Sequence, residues 1–485
     1  MFFASAILPL GWALGVLAVA MLVPSLVAYG YDELAQSQVF LLSALLTAFA
    51  SGAIVIATRG VALRAPRRRE GFFSAIMIWT IVPVFAALPL YQIGVAQSAV
   101  DAWFEAVSGF TTTGATVFHQ LDIIERSVLI WRALLQWLGG LATVVLVVVL
   151  LSYLGGGGMR FFQSAMSRGE RDAISVQIVH TLKSIGGIYV ILTLLCAALL
   201  WLAGMPFFDA TAHAFSTVSG GGFSTRDASI DAFASPLIEL VLIVFMIASA
   251  VNFTLHWALL HGRSFSIYTD DVEIRTMAVL ILAAGITFTL IAVLAGDLDG
   301  RHWLSGVFMA VSAVTTSGFI SSTDSHWSAA GILLILMLVF TGGAAGSTAG
   351  GLKLMRFTAL TKMAGREIKR LAHPHGIVAL KYGDRPIDTE TLHAIWSYFC
   401  IYLLTIVGLA VVLALFGVEF TDAAKMIVAA ISNAGLGDGT LMIGTAEGYA
   451  GISDGAKVSL ILAMVLGRLE LLTVLVLISP AFWRR

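Results

Sequence analysis

The chain has 485 residues, of which 59% are hydrophobic and only 12% charged. Soluble domains run to roughly a quarter charged, so the composition excludes a soluble protein and points to one that crosses a membrane many times. The formal net charge of −1 decides little, because the placement of charge carries the information. Two cysteines, Cys196 and Cys400, each sit in an apolar stretch without a partner motif, which argues against a disulfide framework or a paired-cysteine metal site. The N-terminus lacks the basic region and small-residue cleavage site of a secretory signal, so its first apolar run is expected to stay as a membrane helix.

A bilayer core needs roughly 20 apolar residues per helix. In chain order the runs that satisfy this are 4–28, 39–56, 72–90, 128–154, 185–202, 237–260, 277–295, 392–416 and 458–482, with an interrupted tenth beginning near Ala330. After the first two runs the pattern becomes span, half-span, glycine loop, span, four times over. The glycine loops read Ser108-Gly109-Phe110-Thr111-Thr112-Thr113-Gly114-Ala115, Thr217-Val218-Ser219-Gly220-Gly221-Gly222-Phe223, Ser312-Ala313-Val314-Thr315-Thr316-Ser317-Gly318-Phe319 and Ala430-Ile431-Ser432-Asn433-Ala434-Gly435-Leu436. Gly114, Gly222, Gly318 and Gly435 are separated by 108, 96 and 117 residues, the spacing of a diverged fourfold repeat. The expected units are residues 1–69 (two N-terminal transmembrane helices), 70–155, 180–262, 272–371 and 390–485. The third repeat carries a break at 341–351.

Lysine and arginine set orientation. Twenty-one of the 28 basic residues fall in one set of loops and the tail, with Lys353, Arg356, Lys362, Arg366, Lys369, Arg370, Lys381 and Arg385 in the richest. Ten spans then place both termini on that cytoplasmic side, and the glycine loops face outward. The half-spans are expected to be helices: Pro206 precedes Asp209, and Thr421 as cap precedes Asp422, which is helix-start chemistry. Their C-terminal ends, partly negative, would converge at the membrane centre.

A potassium-type filter replaces an ion's water shell with rings of backbone carbonyls. Glycine permits the dihedrals this demands, and irregular backbone at membrane depth is tolerated only inside protein or along a water-filled path. The alternative use of such glycines is close helix packing. The four stretches therefore read as quarters of an ion filter, with candidate ion-facing residues Thr112, Thr113, Gly114, Gly220, Gly221, Gly222, Thr316, Ser317, Gly318, Asn433, Ala434 and Gly435. Asp227, Asp324 and Asp438 follow closely and would enrich cations at an outer mouth, unless they are ordinary solvated loop charges.

These phrases, together with Gly342-Gly343-Ala344-Ala345-Gly346-Ser347-Thr348 and Gly467-Arg468-Leu469-Glu470, resemble the Trk/Ktr/HKT superfamily of potassium transporters, specifically the Trk-type bacterial membrane subunit. The resemblance covers essentially the whole chain. It implies an all-α membrane protein of four M1–pore-helix–M2 repeats arranged pseudo-fourfold around one pore, plus two extra N-terminal helices. Glycine rather than serine at 114 implies potassium, not sodium. Two departures, Ser317 and Ala434 before the third and fourth glycines, bear on fine selectivity. The resemblance further implies a homodimer in the bacterial inner membrane and a cytosolic nucleotide-binding regulatory ring docking on 155–171 and 353–385. The chain has no nucleotide motif of its own, so no organic cofactor and no nucleic-acid partner is expected; anionic lipid headgroups are the alternative partner of those basic segments. K+ would be the transported ion.

Between Thr341 and Gly351 five glycines interrupt an apolar run, each costing about 1 kcal/mol in a helix interior. Gly342, Gly343, Gly346, Ser347, Gly350 and Gly351 are thus expected to form an intramembrane loop, which the resemblance makes a gate beneath the filter. The phosphate-loop pattern is not met. A buried arginine, Arg468, costs about 2.5–3.5 kcal/mol at a helix centre, so it would face protein or water. It either raises the barrier to cations beside the loop or pairs with Glu239 or loop carbonyls. Glu470, two residues on, should have a separate partner. Gln136, Asn252 and His256 are explained by interhelical hydrogen bonds. His373-Pro374-His375 has no further metal-ligand support. A cation-coupled (H+ or Na+) secondary potassium symporter is the rival transport reading. An enzyme is not expected, since no nucleophile–base or metal set lies at membrane depth.

Overall fold

Helices form where the apolar runs are, and their ends mark where the fold departs from simple spans. The computed structural model describes residues 2–59, 68–153, 173–262, 264–294, 302–321, 328–374, 379–383, 385–436, 448–471 and 474–475. Asp324, Asp438, the basic segment 155–171 and the last ten residues lie outside the described residues.

The N-terminal unit is α1 (Phe2–Ala20), α2 (Leu22–Gly30) and α3 (Leu34–Ala57), with α1 and α2 running on as one span past Met21. Small residues let α1 and α3 touch: Ser51 Oγ donates to the Gly11 carbonyl at 2.7 Å. A Cβ at Gly11 would lie 2.9 Å from Ile54. The unit is tied to the first repeat at both ends. Ser74 Oγ donates to the Ala6 carbonyl at 2.6 Å, and the Glu33 carboxylate accepts from the N–H groups of Arg126 and Ser127 at 2.8 and 3.1 Å. Those two amides open a helix and have no partner within it, so the carboxylate supplies both a hydrogen bond and a favourable charge at the positive dipole end.

Four repeats follow. The first is α4 (Arg68–Ile93), pore helix α5 (Ala99–Phe110) and α6 (Arg126–Tyr153). The second is α7 (Ala173–Leu202), pore helix α8 (Phe207–Ser219) and the pair α9 (Pro236–Ala250) and α10 (Phe253–Leu260). After the short α11 (Ser266–Asp270), the third is α12 (Val272–Leu294), pore helix α13 (His302–Val314) and α14 (Ala329–Thr341). The basic amphipathic α15 (Leu354–Ala372) and a two-residue hairpin, Lys381–Tyr382 against Arg385–Pro386, lead to the fourth: α16 (Thr389–Leu415), pore helix α17 (Phe420–Ile431) and α18 (Asp454–Arg468). The fold is all-α, a membrane protein of four such repeats around one pore with two extra N-terminal spans.

Among the described residues seven helices are long and apolar enough to cross a membrane, or eight if α9 and α10 count as one. The spans that fall short are the second helices of repeats two to four, and each is broken. The run 237–260, expected to be continuous, bends by 97° between α9 and α10. α14 ends at Thr341, as the glycines require. The last helix, also expected to run on, stops at Arg468, and Glu470 stands at φ 56°. Among the described residues, α6 is the one second helix without such a break. Two smaller corrections concern helix starts. Thr421 lies inside α17, whose cap position is Glu419, and Pro206 occupies the cap position of α8 rather than its first turn.

Candidate functional site: four helix ends meeting in a ring

Each pore helix ends in the same hydrogen-bonded closure. The N–H of Thr113, Gly221, Ser317 and Ala434 reaches back five residues to the carbonyl of Ser108, Ser216, Ser312 and Ala429, at 2.8, 2.9, 2.9 and 2.9 Å. The preceding N–H, of Thr112, Gly220, Thr316 and Asn433, reaches back three residues at 2.9, 3.1, 3.2 and 3.1 Å. This is the Schellman closure, which needs a left-handed residue. The residues at that position have φ of 54°, 70°, 57° and 51°. Only Gly220 takes it without cost. A β-branched threonine there is an outlier worth about 1–3 kcal/mol of strain, and two of the four quarters bear it.

Next comes the marker glycine, and here the quarters touch. A Cβ on Gly114 would fall 1.9 Å from the Gly221 carbonyl oxygen, and one on Gly222 would fall 1.8 Å from the Ser317 oxygen. On Gly318 it would meet the Leu436 nitrogen at 3.2 Å, and on Gly435 the Ala115 nitrogen at 2.0 Å. The contacts therefore run from the first repeat to the second, third, fourth and back. Glycine is required twice over at 114 and 222, by proximity and by φ of 83° and 76°, whereas at 318 the contact is only tight and φ of 79° makes the demand. The fourth quarter departs: Gly435 is held by proximity alone and Leu436 takes the positive φ, 46°. The Gly435 N–H donates to the Thr113 carbonyl at 2.5 Å. All twelve residues expected to face an ion, from Thr112 to Gly435, are thus drawn into one buried ring.

Side chains brace the ring. Thr111 and Thr113 hydroxyls pair at 2.8 Å, and Thr315 and Ser317 at 2.9 Å. Asn433 Nδ2 donates to Thr113 Oγ1 at 3.1 Å and to the Met464 carbonyl at 2.9 Å. Gln136 on α6 donates to the Gly221 carbonyl at 2.7 Å and accepts from Phe223 N–H at 3.1 Å. Its partner is therefore the ring, not a neighbouring span as expected. Asn252 caps its own helix by accepting from Thr254 N–H at 3.0 Å, and His256 contacts Tyr268 Oη and the Ala248 carbonyl. Behind the first quarter the Glu105 carboxylate accepts from Arg132 Nε at 2.6 Å, Thr116 Oγ1 at 2.9 Å and Val117 N–H at 3.0 Å. Asp101 pairs with Lys457 of α18 at 2.5 Å, and Asp209 accepts from Thr225 and Arg226 at 2.6 and 3.1 Å. Asp101 and Glu105 were missed in the sequence, and Asp209 was read there only as a helix-start acid. The detectable signal was basic residues, Arg132 and Lys457, inside apolar runs, which require partners.

Below the ring lies the glycine-rich loop. Gly342, Gly346 and Gly351 have positive φ, and the loop amides hydrogen-bond outside it: Ala344 to the Ala250 carbonyl at 3.1 Å, Thr348 to Ser249 at 3.3 Å, Gly351 to Ser432 at 3.1 Å. Gly350 N–H donates to Thr316 Oγ1 at 2.7 Å, and a Cβ on Gly350 would lie 1.9 Å from the Ser432 oxygen. Gly343 is closed in by Ala349 and Ala250, and Ser347 Oγ donates to the Ala344 carbonyl at 2.6 Å. Arg468 joins loop to wall, with Nε on Thr143 Oγ1 at 2.7 Å and Nη1 on the Thr348 carbonyl at 2.9 Å. The carbonyl partner, not Glu239, is the one realised. Nη2 is buried with no hydrogen-bond partner. Glu470 pairs separately with Arg356 at 2.7 Å. On the side away from the ring the loop is held by Glu273, whose carboxylate accepts from Ala345 N–H at 2.6 Å. Tyr382 of the hairpin sits against that carboxylate; burial and then Glu273's charge push its hydroxyl pKa up.

Outside the ring, Asp227 is exposed and accepts from Leu121 N–H at 3.0 Å. Arg226 bridges Asp122 and Asp209, both at 3.1 Å. Among the described residues no cluster of metal-ligating side chains occurs, and Cys196 and Cys400 are free thiols.

The TrkH family profile, described as a cation transport protein, matches residues 36–485. The Trk system potassium uptake protein TrkH of Salmonella typhimurium is 38% identical over 86% of this chain and 86% of its own length. That of Vibrio parahaemolyticus is 35% identical over 99% of both, and TrkG of Escherichia coli 34% over 98% and 97%. The crystal structure of the potassium transporter TrkH from Vibrio parahaemolyticus superposes with a TM-score of 0.89 at 34% identity, covering all of both chains. With a profile spanning almost the whole length and relatives well above 30% identity, the chain belongs to the TrkH cation transport family, which are membrane transporters and not enzymes.

Proposed function

We propose that this protein carries potassium inward across the bacterial cytoplasmic membrane, with both termini in the cytoplasm, through a filter made of its four glycine stretches. One observation carries this reading: the stretches form a closed ring in which each marker glycine abuts the backbone of the next repeat. Four pore helices point their partly negative C-terminal ends at that ring, where a dehydrated cation is stabilised. Relatives named as potassium uptake proteins, similar over most of their length, support potassium as the substrate. The ion-facing set is Thr112, Thr113, Gly114, Gly220 to Gly222, Thr316, Ser317, Gly318 and Asn433 to Gly435. The loop from Gly342 to Gly351 closes the path beneath it, Arg468 raises the barrier to cations there, and Asp227, Asp324 and Asp438 enrich cations outside. The membrane subunit works as a homodimer with a cytosolic nucleotide-binding regulatory partner docked on its basic cytoplasmic segments.

The test is ion flux into liposomes holding the purified protein, with K+, Rb+, Na+ and Li+ compared. Wild type should favour K+ and Rb+; Gly114→Ser, whose side chain would strike the Gly221 carbonyl, should lose that preference. Equal K+ and Na+ flux through the wild type would overturn the assignment.

A further inference from the structure

Three quarters of the ring have a side-chain-to-side-chain brace, whereas in the second Ser219 Oγ turns back to its own helix, onto the Ser216 carbonyl at 2.9 Å. In the first and third, the hydroxyls three and one residues before the marker are in place: Thr111 with Thr113 at 2.8 Å, Thr315 with Ser317 at 2.9 Å. In the fourth, Tyr402 Oη contacts Ser432 Oγ at 3.1 Å and Asn433 reaches across to Thr113 Oγ1. The second quarter has Ser219 at the first of these positions but Gly221 at the other, within three consecutive glycines, the least restrained backbone of the four.

The missing side chain has a substitute. A Cβ built on Gly221 would lie 2.3 Å from Gln136 Cδ, 2.6 Å from Nε2 and 2.6 Å from Oε1. The amide of Gln136 therefore occupies the space that a side chain at 221 would fill. It is fully buried, and it uses both ends of the amide on the same turn: Nε2 on the Gly221 carbonyl, Oε1 on the Phe223 N–H. These bonds span Gly222, the marker glycine, and tie it to the first repeat's α6. We infer that Gln136 is a positioning residue for ion selectivity, standing in from a neighbouring repeat for the hydroxyl brace that the second quarter lacks. This rests on reading the ring as the filter. Selectivity depends on the number and placement of the coordinating carbonyls, so the amide acts through Gly221 and Phe223 and not by touching the ion.

A double-mutant cycle tests it. Wild type, Gln136→Ala, Gly221→Ser and the double variant are reconstituted, and the K+/Na+ uptake ratio is read along with melting temperature. Gln136→Ala should lower the ratio about tenfold, as expected for losing two buried hydrogen bonds, while K+ still enters. Gly221→Ser should be as bad or fail to assemble, because its Cβ meets the amide. The double variant, with space for a hydroxyl opposite Ser219, should recover to within about threefold of wild type. An unchanged ratio in Gln136→Ala, or a double variant no better than the worse single, overturns the inference. If Gln136→Ala fails to fold, Gln136→Met, which keeps volume without the amide's donor, is read as a single variant and should lower the ratio similarly; an unchanged ratio there overturns the inference as well. A wild type that does not discriminate at all would defeat the filter reading itself, a separate result.

Discussion

Arg468 shows what one residue does at the meeting of loop and wall. Its guanidinium has two of its nitrogens engaged, by a threonine hydroxyl and a loop carbonyl, and no carboxylate among its hydrogen-bond partners. A buried charge without a counter-ion is unfavourable in a low dielectric, so it serves something other than stability. Replacing it with alanine should raise K+ flux several-fold in liposomes while the melting temperature holds; unchanged flux would discard the barrier role. The arginine and the marker glycines were legible in the sequence because a charge or a repeated glycine in an apolar run is conspicuous. Gln136 was legible only as a polar residue to be satisfied. Its actual partners, the backbone around Gly222, lie 85 and 87 residues away, and no local pattern encodes that pairing.

Helices carry the next level. Most unbroken spans were readable to within about five residues, because hydropathy over a bilayer's thickness dominates, but the last, expected over 458–482, has its helix end at Arg468. The break between α9 and α10 was not, since Ile247 to Phe253 contains neither glycine nor proline. The helix stops there because amides of the glycine-rich loop take the carbonyls of Ser249 and Ala250, and Asn252 starts a new helix by capping it. A pore helix is also tied by charge to a neighbouring repeat's second helix: Asp101 of α5 and Lys457 of α18 join the first repeat to the fourth. Asp101→Asn would leave a buried ammonium without its counter-charge and should cost about 3–5 kcal/mol, seen as a lower melting temperature of the purified protein. Adding Lys457→Met should restore much of it.

Across the whole molecule, one line of contacts leads from the hairpin at 381–386 to the ring. Tyr382 rests on Glu273, Glu273 holds Ala345, and five residues on Gly350 donates to Thr316 in the third quarter. Glu273→Ala removes the acceptor that anchors the loop on the hairpin side. Basal K+ flux should then rise, with the K+/Na+ ratio preserved because the ring is untouched; a fall in that ratio at constant flux would contradict the link. The fourth quarter, in which Leu436 and not Gly435 adopts the left-handed backbone, has a further consequence. In an assembly of four identical chains every substitution is imposed at four corners at once. Here each corner has its own codons, so the ring can be altered by quarter steps, and a lesion in one corner leaves three intact copies of the design.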